Sequence, residues 1–316
     1  MKLLAQQRNA RPIQLVAMGA LLMLAGCGGG GGGGGGDAGG STGGTGGTGS
    51  TKLATITSAS TGTPLYGQVL QLTLNGSNLD QGLSVTATAC GAVTLNTAKS
   101  SATTAVYQCT VSAVGAGQWT VTRSSDSSML STQAFNVPVP QVTMTLSNGQ
   151  GVSGSIVITL APTQAPITVN NFLWYVNSGF YTGTVIHRVS PGFVIQGGGY
   201  TSPLDANNQN LKPTTAAPIA LEVGKGLSNT QWTLAMARTS DPNSATSQFF
   251  INLADNSGQL DPGLSAGYAV FGTVTGGTSV VTAVTTAPCT ALPLFLPSGE
   301  CTPSPNVVIT SATQTQ

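Results

Sequence analysis

The sequence predicts a mainly β protein, a small β-sandwich followed by a β-barrel plugged by helices at its ends. Three observations point there. Short runs of alternating apolar and polar residues recur from residue 54 to residue 311, with Gly, Asn and Ser clusters between them. Only two stretches carry a helical repeat, too few for the strand–helix alternation of a parallel α/β sheet. Charged residues make up only 6% of the chain although 40% is hydrophobic, against the usual quarter charged. The surface must therefore be dressed in Ser, Thr, Asn and Gln, which β-structure accepts.

Taken in order, Lys2, Arg8 and Arg11 precede an apolar run over residues 15–25 that ends Leu24-Ala25-Gly26-Cys27. The run falls short of the roughly 18–20 residues that span a bilayer. A basic start, a short apolar middle and small residues at the end describe a signal peptide over residues 1–26. The Leu-Ala-Gly-Cys ending resembles the lipobox of bacterial lipoproteins, which implies cleavage before Cys27 and a lipid on it. Since no Asp follows Cys27, the same resemblance implies an outer-membrane anchor facing the periplasm where the cell has such a membrane. Residues 27–51 are otherwise almost all Gly, Ser and Thr and have nothing to bury. They predict a flexible linker with a reach of about 25–30 Å.

Residues 52–140 hold candidate strands at 54–58, 69–74, 83–87, 105–111, 119–123 and 133–137, with turn signals at Asn75-Gly76-Ser77 and Gly115-Ala116-Gly117. Strands at this spacing predict a sandwich. The stretch from Gly67 to Leu79, with a later Cys pair, is weakly similar to bacterial immunoglobulin-like domains and implies a spacer or contact module without chemistry. Val137-Pro138-Val139-Pro140 predicts a stiff, extended joint.

Residues 141–316 open with a predicted hairpin, 141–146 and 154–160 around Asn148-Gly149-Gln150-Gly151. A helix is expected from Pro166, with Val169, Phe172, Leu173 and Val176 on one face and Gly179 as its stop. Further strands are expected at 185–189, 193–196, 233–237, 248–253, 269–274 and 307–311, and a second helix at 279–284.

Three segments put polar side chains on strands. They are Ile186-His187-Arg188-Val189-Ser190-Pro191-Gly192-Phe193-Val194-Ile195-Gln196-Gly197-Gly198, Leu234-Ala235-Met236-Ala237-Arg238 and Ser247-Gln248-Phe249-Phe250-Ile251. Period two sets Ile186 and Arg188 on one face and His187 on the other. An arginine in an apolar strand is costly unless it faces water or partners, and Gln196 and Gln248 are candidate acceptors for Arg188.

These segments resemble the cyclophilin-type peptidyl-prolyl isomerases, in particular their periplasmic bacterial branch, in order from about residue 142 to residue 312. Thr246-Ser247-Gln248-Phe249-Phe250-Ile251-Asn252, Gly179-Phe180-Tyr181 and Tyr268-Ala269-Val270-Phe271-Gly272 carry the same likeness. The resemblance implies a closed eight-stranded antiparallel β-barrel capped by two helices. It also implies rotation of X–Pro bonds with Arg188 in the catalytic arginine position, Gln196 bracing it, Gln248 on the substrate backbone and His187 flanking the site. Phe193, Val194, Met236, Phe250 and Leu260 would line the proline pocket, and Ala237 and Arg238 would hold the peptide through backbone groups, so that the Arg238 side chain need not matter. Two positions depart from the pattern. Gln259 stands where an aromatic residue is frequent, which predicts a more polar wall and weak binding of cyclosporin-like ligands, and Tyr268 replaces a histidine.

The rest of the composition sets limits. A net charge of +1 offers no electrostatic footprint for nucleic acid. One histidine rules out Cys–His zinc spacing, and no metal or cofactor is expected. Of five cysteines Cys27 goes to lipid, and the other four fall as the local pairs Cys90 with Cys109 and Cys289 with Cys301, although four cysteines allow three connectivities. No Gly-x-Ser-x-Gly leads from a strand into a helix, which disfavours a serine hydrolase. Two functions remain: an isomerase acting on Pro-containing segments of exported proteins, or a low-turnover Pro-peptide-binding module tethered to the envelope.

Overall fold

The structure is a computed structural model and describes residues 52–207, 209–263, 265–291, 296 and 298–316. The expected signal peptide, Cys27 and the linker lie outside the described residues. The described residues form one compact unit.

Alternation decides the first part. Seven strands appear: β1 (Thr55–Thr61), β2 (Val69–Ser77), β3 (Leu83–Ala87), β4 (Thr94–Leu95), β5 (Thr104–Thr110), β6 (Gly115–Arg123) and β7 (Met129–Val137). They form two antiparallel sheets, ordered β1-β2-β5-β4 and β3-β6-β7. Leu70, Leu72 and Leu74 alternate into the core from one sheet, and Trp119, Val121 and Phe135 do so from the other. The Trp119 indole N–H donates to Thr61 Oγ1 at 3.2 Å, which ties the two sheets together at the end of β1. Cys90 and Cys109 are disulfide-bonded.

Both expected turns in this part are strand instead, 75–77 within β2 and 115–117 within β6. The glycines there serve close approach. A Cβ on Gly76 would lie 1.9 Å from the Thr55 carbonyl oxygen, and one on Gly117 would lie 2.2 Å from the Phe135 ring. Sequence reading also passes over β4, whose two exposed residues carry no period.

The second part contains β8 (Gln141–Ser147), β9 (Ser153–Leu160), α1 (Pro166–Asn177), β10 (Thr184–Ser190), β11 (Val194–Leu204), β12 (Gln209–Leu211), β13 (Thr233–Met236) and β14 (Phe249–Asn252). It continues with α2 (Ser257–Leu260), β15 (Val270–Gly276), α3 (Thr278–Thr286), β16 (Cys289–Thr290), β17 (Thr302–Pro303) and β18 (Val307–Gln314). Eight strands run β10-β18-β8-β9-β15-β13-β14-β11, and β11 pairs back to β10, so the antiparallel barrel closes and leaves no free edge. β12 hangs on β11, β16 and β17 make a separate ribbon, and α2 is one turn. These four short elements are additions to the expected barrel with two helices.

Helix α1 starts with Pro at its first turn and buries the expected Val169, Phe172, Leu173 and Val176, together with Tyr175. Its N-cap, Ala165, has no side-chain oxygen to offer, and Glu222 takes over by accepting from the Thr168 N–H at 2.7 Å and its hydroxyl at 2.8 Å. The segment after the first part does not swing free. The Pro140 carbonyl accepts from Leu160 N–H at 2.9 Å, and Gln314 Nε2 donates to the Tyr66 carbonyl at 3.0 Å.

Candidate active site

Strand register assembles the site. Arg188 on β10 faces Gln196 on β11, Gln196 faces Phe250 on β14, and Phe250 faces Ala235 on β13. Directly opposed residues point to the same side of a sheet, so one row across four strands carries a guanidinium, an amide, an aromatic ring and a methyl group. Val194, Ala235, Phe250, Leu260 and Val270 form a small apolar cluster separate from the main core, with Phe193, Ala237 and Tyr268 packed on it. Above them opens a socket of about 200 Å³ lined by Arg188, Phe193, Val194, Gln196, Ala237, Arg238, Phe250, Leu260 and Tyr268.

The polar rim is a relay. Arg188 Nη1 donates to Gln196 Oε1 at 3.0 Å, and Gln196 Nε2 donates to Gln248 Oε1 at 2.9 Å. Gln248 therefore braces Gln196 and makes no bond to Arg188 itself. Beyond Gln196 lies a second cavity of about 250 Å³ lined by Gln248, Arg238, Thr239, Ser244 and Thr246, among others. Glu300 completes the rim: Arg188 Nε donates to its Oε2 at 2.6 Å and Nη2 to its Oε1 at 2.5 Å. Sequence reading missed Glu300 because it sits in a Pro-rich loop without periodicity, and its only signal was an acid beside Cys301 in a chain with few acids.

The apolar walls are held by backbone ties. The Phe193 carbonyl accepts from Asn256 Nδ2 at 2.8 Å and from Leu253 N–H at 2.9 Å. Asp261 accepts from the Ser228 hydroxyl and, at 2.8 Å, from Asn229 N–H, fixing the loop under α2. The Tyr268 ring meets Phe250 edge-on at 5.5 Å, and the Arg238 guanidinium lies over the Tyr268 ring at 4.5 Å from its centroid. Arg238 is also fixed by donating from Nε to the Gly267 carbonyl at 3.0 Å. Its side chain thus lines both cavities.

Three further expectations change. Met236 is buried in the main core, because the residue before it, Ala235, takes the outward position and period two sends Met236 inward. Gln259 is exposed on α2 and is not among the residues that line the socket. His187 does not line it either: it is 2% exposed and lies 4.8 Å, ring to ring, from Tyr200. The expected period along β10 is also broken: the register shifts between Ile186 and Arg188, so Ile186 packs in the main core while Arg188 lines the socket.

Burial, with the Arg188 charge adding to it, lowers the His187 pKa from 6.5 to about 3. The folded protein therefore keeps this ring neutral above about pH 3, while the unfolded chain protonates it below about 6.5. The resulting stability is complete above pH 6.5 and is lost as pH falls toward 3, at up to about 1.4 kcal/mol per pH unit. Urea midpoints at pH 7 and pH 4.5 check this, and the drop between them should shrink in His187→Gln. An equal drop in both proteins would assign the acid sensitivity to other groups.

Gly199 lies against the relay, since a Cβ there would be 2.5 Å from Gln248 Cδ. Gly199→Ala is expected to push Gln248 off Gln196 and lower turnover about tenfold, with little change in melting temperature. Turnover within twofold of wild type would show that the relay tolerates displacement.

Comparison with known proteins adds a family. The sequence model described as "Cyclophilin type peptidyl-prolyl cis-trans isomerase/CLD" matches residues 142–314. A peptidyl-prolyl cis-trans isomerase of Acinetobacter baylyi is 52% identical over 136 residues, which cover 43% of this chain and 69% of that protein. Peptidyl-prolyl cis-trans isomerase A of Dickeya dadantii is 45% identical over 156 residues, covering 48% of this chain and 77% of its own length. Peptidyl-prolyl cis-trans isomerase B of Escherichia coli is 47% identical over 133 residues, covering 40% and 76%.

Proposed function

This chain belongs to the cyclophilin-type peptidyl-prolyl cis-trans isomerases, and from that premise we propose that Arg188 stabilises the twisted amide while the Phe250 socket holds the proline ring. The observation that carries this reading is the row Arg188, Gln196, Phe250, Ala235, which sets a braced guanidinium on the rim of an apolar socket.

The chemistry asks for little else. Rotation about a peptide bond meets a barrier of about 18–20 kcal/mol because the nitrogen lone pair is conjugated into the carbonyl. At the half-turned state that lone pair is localised on a pyramidal nitrogen, and a donor aimed there lowers the barrier without making or breaking a covalent bond. Arginine keeps its charge at every working pH and presents a rigid fork of donors. Phe193, Val194, Leu260 and Tyr268 offer the ring an apolar grip, and Ala237 leaves room beside it. Measuring cis-to-trans rates on a short X–Pro peptide with wild type and Arg188→Ala tests the assignment.

The substrates in this reading are Pro-containing segments of exported or envelope proteins, whose slow prolyl steps limit folding. Support comes from the signal-like start, the Leu24-Ala25-Gly26-Cys27 ending and the Gly-rich stretch behind it. The chain is a lipoprotein in this view, with the immunoglobulin-like sandwich as a spacer or contact module between anchor and isomerase. It works in the periplasm from the outer membrane where the cell has one. Cys27→Ala should release the protein into the soluble fraction, and retention on membranes after processing would refute the anchor.

A further inference from the structure

The loop closed by Cys289 and Cys301 is the part of the barrel domain that this mechanism leaves without a task. It carries Glu300, which reaches Arg188 across 112 residues of sequence. A guanidinium has five N–H bonds. Two of them go to Glu300 in a fork and one goes to Gln196, which leaves one on each terminal nitrogen for a substrate.

Several independent ties bring Glu300 there, and they fall on the residues flanking the arginine. Cys301 exchanges backbone hydrogen bonds with Val189, its N–H donating at 3.1 Å and its carbonyl accepting at 2.8 Å. The Thr302 hydroxyl donates to the His187 carbonyl at 2.7 Å. The ribbon of β16 and β17 pairs Cys289 with Pro303, and the disulfide joins Cys289 to Cys301. The acid is thus clamped between a staple and the strand that carries Arg188, and it is only 11% exposed where Arg188 is 24% exposed.

We propose that Glu300 is a positioning residue for the isomerase reaction, delivered by the Cys289–Cys301 staple, which fixes the plane of the Arg188 guanidinium so that its two remaining N–H bonds meet the substrate. This rests on Arg188 being the group that stabilises the twisted amide. An arginine at a partly exposed rim samples many rotamers, and ordering it only when substrate arrives would cost affinity and rate. A bidentate carboxylate does that ordering during folding.

The test measures kcat and KM separately on an X–Pro peptide with the full chain. Glu300→Ala is expected to lower kcat about 5–20-fold with KM changed less than about twofold, because the socket walls are untouched. Glu300→Gln keeps one acceptor oxygen of the same reach and should recover to within about threefold of wild type. The Cys289→Ser/Cys301→Ser pair should fall between. The Arg188 Nε–H should exchange slowly in wild type and lose that protection in Glu300→Ala, which checks the fork itself; the split between kcat and KM and the recovery in Glu300→Gln are what a structural role alone would not produce.

Wild-type kcat in Glu300→Ala, no recovery in Glu300→Gln, or an unprotected Nε–H in the wild-type protein would each overturn the proposal. Arg188→Ala run alongside separates the two readings. If it is inactive while Glu300→Ala is fully active, the positioning role alone fails; if it is fully active, both fail.

Discussion

Arg188→Ala should lower kcat/KM on a short X–Pro peptide by on the order of 10²-fold, the loss that follows removal of one preorganised donor from a transition state. The apolar socket remains, so the loss should sit in turnover and leave KM nearly unchanged. Arg188→Lys should fall between, since an ammonium supplies charge without the fork that Glu300 and Gln196 hold. The alanine variant has a second effect. It strands the Glu300 carboxylate, 11% exposed, without its partner, at a cost of about 1–3 kcal/mol. Removing both groups tells the two effects apart. Arg188→Ala/Glu300→Ala should regain most of that stability in a urea titration and regain none of the activity. Recovery of turnover in the double variant would mean that the single variant had failed by misfolding, and the mechanism would lose its support.

Much of the barrel was legible in the sequence because its strands alternate and its helix repeats. Val169, Phe172, Leu173 and Val176 announce the buried face of α1, and the motif around Arg188 carries Gln196 with it at cross-strand register. What stayed hidden has common physical causes. Direction along β13 depends on which neighbour of Met236 points outward, and a one-residue shift in phase moves a side chain from socket to core. Gln259 followed from a position where related sequences often carry an aromatic residue, and here it lies exposed on the single turn of α2. Glu300 depends on a disulfide, a two-stranded ribbon and a pairing with β10, none of which has a periodic signature. Glycine misled in β2 and β6 because close packing and turning call for the same residue.

Phe172→Ala should be the most damaging single change to the fold, costing about 3–5 kcal/mol. Phe172 is fully buried on α1, and its ring lies 5.0 Å from Phe271, 5.3 Å from Tyr181 and 5.9 Å from Phe249, measured between centroids. It therefore joins the helix that plugs the barrel to two of its strands and to the loop before β10. Alanine would leave a hole among rings whose backbones are fixed by the closed sheet, so the surroundings cannot collapse to fill it. For a body of this size the melting temperature should fall by about 10 °C or more. Phe172→Leu retains most of the volume and should cost less than about 1.5 kcal/mol. Phe249 stands between Gln248 and Phe250 on β14 but faces the main core, while Phe250 faces the socket. Well below the melting transition, turnover of Phe172→Ala should accordingly stay within about threefold of wild type, because the opposite face of the strand keeps its register. A melting temperature within 2 °C of wild type would show that the plug is held elsewhere. A large loss of turnover in the still-folded protein would show that the core and the Arg188 row are mechanically coupled.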